Sequence, residues 1–118
     1  MIRREQDMLS EIRERMRGGD GQVSITHIFR PGEFAGSARL CARIILGTGC
    51  SIGWHDHQHE EEIFYVTSGE GQLTENTDEP PQVLRRGDAA ICPPGASHSI
   101  RNDSSEPLEL LALILLTP

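Results

Sequence analysis

Three of the five histidines lie within one five-residue window, in the sequence WHDHQHEEE. Side chains of an extended strand alternate between two faces, so His55, His57 and potentially His59 would project to the same side. Two such imidazoles can bind one transition-metal ion through Nε2 atoms about 2 Å from it. A carboxylate on the strand after the next turn would add a negative ligand, and the strand phase favours Glu62. The cluster predicts a metal site.

A further candidate ligand, His98, is isolated in the sequence. It follows the segment Cys-Pro-Pro-Gly at 92–95, where a Pro/Gly turn reverses the chain before the strand SHSIRN. His98 could complete a site with three histidines and one carboxylate. A lone histidine is more often a hydrogen-bonded residue at a strand start, and spacing alone leaves both readings open.

The residues next to the histidine cluster also have two interpretations. His59 is most simply a solvent-facing loop residue, although it could replace His57 or shuttle protons near neutral pH. Glu60 and Glu61 form a solvated acidic turn in the simpler reading. Either could instead orient a ligating imidazole through its second N–H group.

Cysteines and arginines near the cluster are weaker candidates. Buried, inert thiols are the common state of cysteine in β-structure, and this is our expectation for Cys50 and Cys92. Arg39, Arg43 and Arg101 could each bind a substrate carboxylate in a bidentate manner. The sequence does not distinguish among the three.

The composition limits the classes of partner. Eighteen acidic residues against eleven basic ones give a net charge of −7, which disfavours nucleic acid and anionic membrane surfaces. All eleven basic residues are arginine, so chemistry that requires a lysine, such as a Schiff base, is excluded. A small molecule is the expected partner.

The cysteines and the apolar runs bear on localisation. Three cysteines without C-x-x-C spacing suggest neither a disulfide framework nor a sulfur-only zinc site. The N-terminus is too charged for a signal peptide, and the longest apolar run is far too short to span a membrane. We expect a cytoplasmic protein.

Two regions can be distinguished along these 118 residues. Apolar residues from Met8 to Met16 recur every three or four positions before Gly18 and Gly19, which predicts an amphipathic helix at about 5–17. We therefore divide the chain into an N-terminal helical extension at 1–21 and a β-barrel domain at 22–118.

The second region predicts an all-β fold. Turn signals break it at intervals of about ten residues, as in a sandwich or barrel. The candidate strands are 23–29, 38–46, 50–57, 62–68, 70–75, 82–85, 89–92, 97–102 and 108–116. The connections are too short for crossover helices, which disfavours a parallel sheet.

The last strand, LELLALILL, is apolar on both faces except for Glu109. A strand covered on one side should be apolar on one face only, so something must cover the second face. The N-terminal helix and a second copy of the chain are the two candidates. We favour a homodimer.

Two segments resemble the motifs of a known superfamily. The segment GCSIGWHDHQHEEEIFYVTSG at 49–69 resembles the first cupin motif, G-x5-H-x-H-x3,4-E-x6-G. The segment GDAAICPPGASHSIRN at 87–102 resembles the second, G-x5-P-x-G-x2-H-x3-N. Every specified position is present, so the chain is identified as a member of the cupin superfamily, similar to the small bacterial single-domain cupins.

The resemblance implies a single-domain antiparallel jelly-roll β-barrel with a metal ion held by His55, His57, Glu62 and His98. Three imidazoles and one carboxylate suit one divalent ion of Mn, Fe, Ni, Co, Cu or Zn. Four protein ligands on a six-coordinate ion leave two positions for water or a substrate with adjacent oxygens. The resemblance does not identify a substrate, because fold does not determine function.

These observations favour a mononuclear metalloenzyme acting on a small oxygen-rich organic substrate, with dioxygenase-like oxidoreductase chemistry slightly ahead. A metal-dependent decarboxylase, lyase or isomerase is the first alternative, and some small cupins are described as oxalate-decarboxylase-like. A non-catalytic cupin that binds a small ligand is the second alternative. The sequence assigns no catalytic residue.

Overall fold

The structure is a computed structural model that describes all residues from 1 to 118 and consists almost entirely of antiparallel β-strands. Its ten strands are β1 (Leu9–Glu14), β2 (Gln22–His27), β3 (Ala38–Leu46), β4 (Ser51–Asp56), β5 (Glu60–Ser68), β6 (Glu70–Thr74), β7 (Gln82–Arg85), β8 (Ala89–Cys92), β9 (Ser97–Arg101) and β10 (Leu108–Leu116). All nine predicted strands are present, and β1 is additional. The only helical segments are single 3-10 turns at Glu5–Asp7 and Met16–Gly18.

The strands form two sheets that face each other. The larger sheet has the order β1-β2-β3-β10-β5-β8, and the smaller one has the order β4-β9-β6-β7. Alternate side chains of both sheets point into one apolar core that includes Ile44, Phe64 and Leu110. The architecture is the antiparallel jelly roll that the two motifs imply.

The prediction of an amphipathic helix at about 5–17 is wrong. Residues Leu9–Glu14 instead pair with β2 along its whole length, from Leu9 opposite His27 to Glu14 opposite Gln22. The open edge of β2 offers backbone hydrogen bonds to these residues, and such tertiary pairing overrides local helical propensity. Arg15 and Arg17 have left-handed backbone angles, which a continuous helix does not allow.

The apolar strand β10 lies at the centre of the larger sheet, between β3 and β5. Its alternate residues, including Leu108, Leu110 and Ala112, are buried in the core. The opposite face of β10 points outward and includes Leu111, whose exposed fraction is 39%. The N-terminal segment pairs at the sheet edge, so it does not cover this face as a helix. None of the helical segments has the length and apolar character that a membrane crossing needs.

Candidate metal centre

The four predicted ligands come from both sheets and meet inside the barrel. His55 lies on β4, His57 directly follows β4, and His98 lies on β9, all on the side of the smaller sheet. Glu62 lies on β5 of the larger sheet. His57, Glu62 and His98 are each at most 5% exposed, so three of the four side chains are buried.

Pairing between β4 and β9 places His55 opposite His98. The register of this pair shifts between Ile52 and His55, which marks a bulge or irregularity in β4. Such a bulge redirects the side chains that follow it and is common beside functional sites. The ring of His98 is also stacked on Phe64 from the opposite sheet, with ring centroids 5.0 Å apart.

Backbone hydrogen bonds join the two motifs at His57. The His57 N–H donates to the Ala96 carbonyl at 3.0 Å, and the Gly95 N–H donates to the His57 carbonyl at 2.6 Å. Gly95 adopts a positive φ of 83°, which glycine takes without a steric cost. The Pro-Pro-Gly turn thus fixes the backbone position of His57 as well as the start of β9.

The ligand atoms of the four side chains lie within 4.8 Å of one another. The Nε2 atom of His57 is 3.1 Å from that of His55 and 3.1 Å from that of His98. Oε1 of Glu62 lies 3.1 Å from Nε2 of His57 and 3.0 Å from Nε2 of His98. Its distance to Nε2 of His55 is longer, at 4.0 Å.

Hydrogen bonds on the far side of two rings fix their tautomers. His55 Nδ1 lies 2.7 Å from the carbonyl oxygen of Gly53, and a carbonyl can only accept a hydrogen bond. His57 Nδ1 lies 2.5 Å from Oε2 of Glu60, which is likewise an acceptor. In the neutral form of either ring the proton therefore sits on Nδ1 and the Nε2 lone pair faces the other ligand atoms, whereas a protonated His57 donates from Nε2 to Glu62.

This arrangement fits a metal ion. Two imidazole lone pairs and a carboxylate oxygen converge, and a shared cation satisfies all of them at once. Metal–ligand bonds of about 2.1 Å separate adjacent ligand atoms of an octahedron by about 3.0 Å and opposite ones by about 4.2 Å. The observed separations of 3.0 to 4.0 Å between ligand atoms lie within this range. The group could therefore hold a metal ion.

The local electrostatics reflect the crowding of these groups. Burial lowers the pKa of His55. A hydrogen bond to Glu62 raises the pKa of His57 despite its burial, and Glu60 acts in the same direction. Desolvation acts to raise the pKa of Glu62, but hydrogen bonds from His57 and His98 outweigh it, so this pKa is lowered. Glu62 is therefore an anion at neutral pH.

Glu60 is not the solvated turn residue that the simpler reading predicts. Its carboxylate bonds His57 on one side and Arg39 on the other, with Arg39 Nε and Nη2 donating at 2.9 and 2.8 Å. Arg39, together with His57, lowers the pKa of Glu60 to about 2. A permanently ionised carboxylate on Nδ1 holds the ring in the tautomer that presents its lone pair to the site.

The other singled-out residues lie apart from the four-residue group. Arg43 pairs with Glu109 and Arg101 with Asp20 and Asp103 on the outside of the molecule. His59 is an exposed loop residue with a left-handed φ of 60°. Burial raises the pKa of Cys92 to about 11, which keeps that thiol protonated.

A cavity of about 110 Å³ opens onto the group and is lined by His55, His57 and Glu62. Its remaining titratable lining residues are Glu11, Arg13, Arg17, His27 and Arg39. Sequence reasoning identified only Arg39 among these. Arg13 and Arg17 belong to the segment predicted as a helix, and no sequence signal connects that segment with the cluster at 55–62.

Comparisons with known proteins agree with this geometry. Residues 42–114 match the family model described as a cupin domain. An "Oxalate-binding protein" of Thermotoga maritima is 38% identical over 116 residues, which is 98% of this chain and 94% of that protein. A Thermotoga maritima crystal structure, described as a predicted oxalate decarboxylase, is 37% identical with a TM-score of 0.91, over 98% of this chain and 99% of that one.

A more distant structure supports the fold alone. The polyketide cyclase RemF of Streptomyces resistomycificus is 16% identical, with a TM-score of 0.79 over all of this chain and 81% of its own. The two motifs, the jelly-roll topology and the family match over more than half of the sequence agree. The chain belongs to the cupin family.

Proposed function

We propose that this protein is a mononuclear metalloenzyme that binds a small oxygen-rich organic anion at an ion held by His55, His57, Glu62 and His98. The observation that carries the proposal is the convergence of lone pairs with fixed direction beside a cavity rich in arginine. A bound divalent ion would supply Lewis acidity or, with a redox-active metal, a route for reaction with dioxygen.

The protein residues have separate tasks in this proposal. Gly53 and Glu60 hold two imidazoles in the tautomer that binds a metal, and Glu62 contributes the negative charge. Apolar side chains such as Ile25, Ile52 and Ile114 line the rest of the cavity and limit the access of water. An anion entering this cavity meets a low-dielectric wall, which strengthens its attraction to the cationic groups.

The donor set and the relatives support two candidate reaction classes. Three imidazoles and a carboxylate suit the redox metals Fe and Mn, which favours a dioxygenase-like oxidoreductase. The Thermotoga relative that is described as a predicted oxalate decarboxylase favours a decarboxylase as the second candidate. Both reactions would begin with a small oxygen-rich anion at the same site.

Isothermal titration with oxalate tests the proposal on Mn-loaded and metal-free protein. We expect oxalate to bind the Mn-loaded protein only, with the metal content unchanged after the titration. Oxygen uptake on adding oxalate would support the oxidoreductase, and carbon dioxide release without oxygen uptake would support the decarboxylase. Absence of oxalate binding to the Mn-loaded protein would refute the proposed ligand class, and binding without turnover would favour a non-catalytic cupin that binds a small ligand.

A further inference from the structure

The N-terminal segment forms one wall of the metal-site cavity. Arg13 at the end of β1 and Met16 and Arg17 in the following 3-10 turn all line it, opposite His55 and His57. Met16 is partly buried and packs against the core. The turn thus belongs to the site, although it lies about forty residues before the histidine cluster in the sequence.

The backbone of this turn is held firmly against β4. A methyl group added at Gly53 would collide with the Arg17 carbonyl oxygen, and one at Gly19 would collide with that of Ser51. Arg15 and Arg17 adopt left-handed φ angles of 49° and 55°, which are rare for residues other than glycine. Strained conformations of this kind persist where the surrounding structure imposes them, and they concentrate at ligand sites.

Arg17 differs from the other two arginines of the cavity in having no hydrogen-bonded carboxylate partner, although its charge acts on Asp56 of β4 from a longer distance. Arg13 donates a hydrogen bond to Glu11 at 2.7 Å, and Arg39 donates hydrogen bonds to Glu60. Arg17 makes neither a side-chain hydrogen bond nor an ion pair within the chain. Its guanidinium retains its full capacity for a bidentate contact with an anion.

The charge balance of the cavity also favours an anion. Three arginines of the lining are balanced by Glu11, by Glu62 and by Glu60, which bonds Arg39, so a divalent ion would bring the net charge of these groups to +2. The whole chain carries −7, so the metal-loaded cavity would contrast with the rest of the molecule. An anionic ligand would neutralise the charge that the bound divalent ion adds here.

We propose that Arg17 determines ligand specificity by binding a carboxylate that the metal does not fully engage. The inference rests on the proposed function and narrows its ligand to small organic dianions, in which one set of oxygens faces the metal and another faces Arg17. An uncharged chelator would gain nothing from this contact. Selection for a dianion thus comes from the N-terminal turn, outside both motifs.

Titration of Mn-loaded Arg17→Gln with oxalate tests this role. We expect a Kd about 10-fold to 100-fold weaker than in the wild type, as for the loss of a charged hydrogen bond, and a weaker dependence on salt. Arg15→Gln is the matched control, because it removes the same charge from the same turn at a residue that does not line the cavity. This control should bind oxalate as the wild type does.

Maltol, a metal chelator without a carboxylate, separates recognition from distortion. Arg17→Gln should bind maltol with wild-type affinity and keep its manganese by elemental analysis, and Arg17→Lys should recover part of the oxalate affinity. Equal oxalate affinity in the Arg17 and Arg15 variants, or equal losses for oxalate and maltol, would overturn the role of Arg17. If the wild type itself fails to bind oxalate, the proposed function fails and this inference falls with it.

Discussion

Glu60 links the candidate ligand His57 to Arg39 on strand β3. Its carboxylate lies between Arg39 and the Nδ1 atom of His57, so the guanidinium keeps it ionised and the ionised form keeps the proton on Nδ1. Carboxylate partners of ligating imidazoles fix ring orientation and increase the basicity of the metal-binding nitrogen. We therefore expect Glu60 to be a positioning residue rather than a ligand.

Replacing Glu60 by glutamine tests this role. Glu60→Gln should weaken metal binding about 10-fold to 100-fold, because the amide can also donate and does not enforce one tautomer of His57. Competition with a chromophoric chelator measures the affinity. Glu61→Gln is the control, since Glu61 makes no side-chain hydrogen bond or ion pair and should behave as the wild type. Equal metal affinities in both variants would refute the positioning role.

The four residues of the candidate site can be predicted from the sequence, but their partners cannot. The period of a strand places His55 and His57 together, and the second motif adds His98. Glu60 occupies a position where the sequence favours a solvated turn, although a bonded carboxylate is also compatible with it. Only the neighbouring strand β3, which brings Arg39 beside it, distinguishes the two.

At the scale of elements, the contact between the N-terminal turn and β4 supports the site. Gly53 lies against the backbone of Arg17, and the carbonyl of Gly53 accepts the Nδ1 hydrogen bond of His55. One glycine thus fixes both the cavity wall and the direction of an imidazole. Any side chain at this position would collide with the backbone of the turn.

Gly53→Ala should destabilise the protein by about 1–3 kcal/mol, the usual cost of overpacking, and should also reduce metal occupancy. Thermal unfolding and elemental analysis measure the two effects. A methyl group at Gly36 would meet nothing within 4 Å, and Gly36 does not adopt a positive φ, so Gly36→Ala is the control. A Gly53→Ala protein as stable as this control would contradict the close packing of the turn.

The sequence predicts the strands better than the N-terminal segment for a physical reason. Strands β2 to β10 contain β-branched and apolar residues bounded by turn signals, so local patterns suffice. Residues 9–14 also fit a helical period, and what decides their conformation is the free edge of β2, which only the folded sheet creates. The proposed division into an extension at 1–21 and a domain at 22–118 stays a prediction.

At the scale of the molecule, an apolar face remains uncovered on the outside of the larger sheet. One row of apolar side chains crosses the four neighbouring strands β3, β10, β5 and β8. In this row Leu113 pairs with Cys41 and with Ile63, and Ile63 pairs with Ile91. The exposed fractions of nearby Tyr65 and of Ile91 are 44% and 50%. A continuous apolar face of this kind is typical of a subunit interface, which keeps the homodimer as our prediction.

Leu113→Asp should convert a dimer into monomers, because a charge at the centre of the apolar row would be buried without a partner. Light scattering coupled to size exclusion measures the mass. Val83→Asp places the same charge at another exposed apolar residue, on β7 of the smaller sheet, and should leave the dimer intact. A wild-type protein with the mass of a single chain would refute the homodimer.

Elemental analysis of purified protein, prepared without added metal or chelator, tests the central claim most directly. We expect about one equivalent of a single divalent transition metal per chain, the stoichiometry of a mononuclear site. The double variant His55→Ala/His98→Ala should lose the metal. The control His59→Asn should retain it, and asparagine tolerates the left-handed backbone conformation of that position. Metal that persists in the double variant, or a wild type that stays metal-free even after reconstitution, would contradict the account.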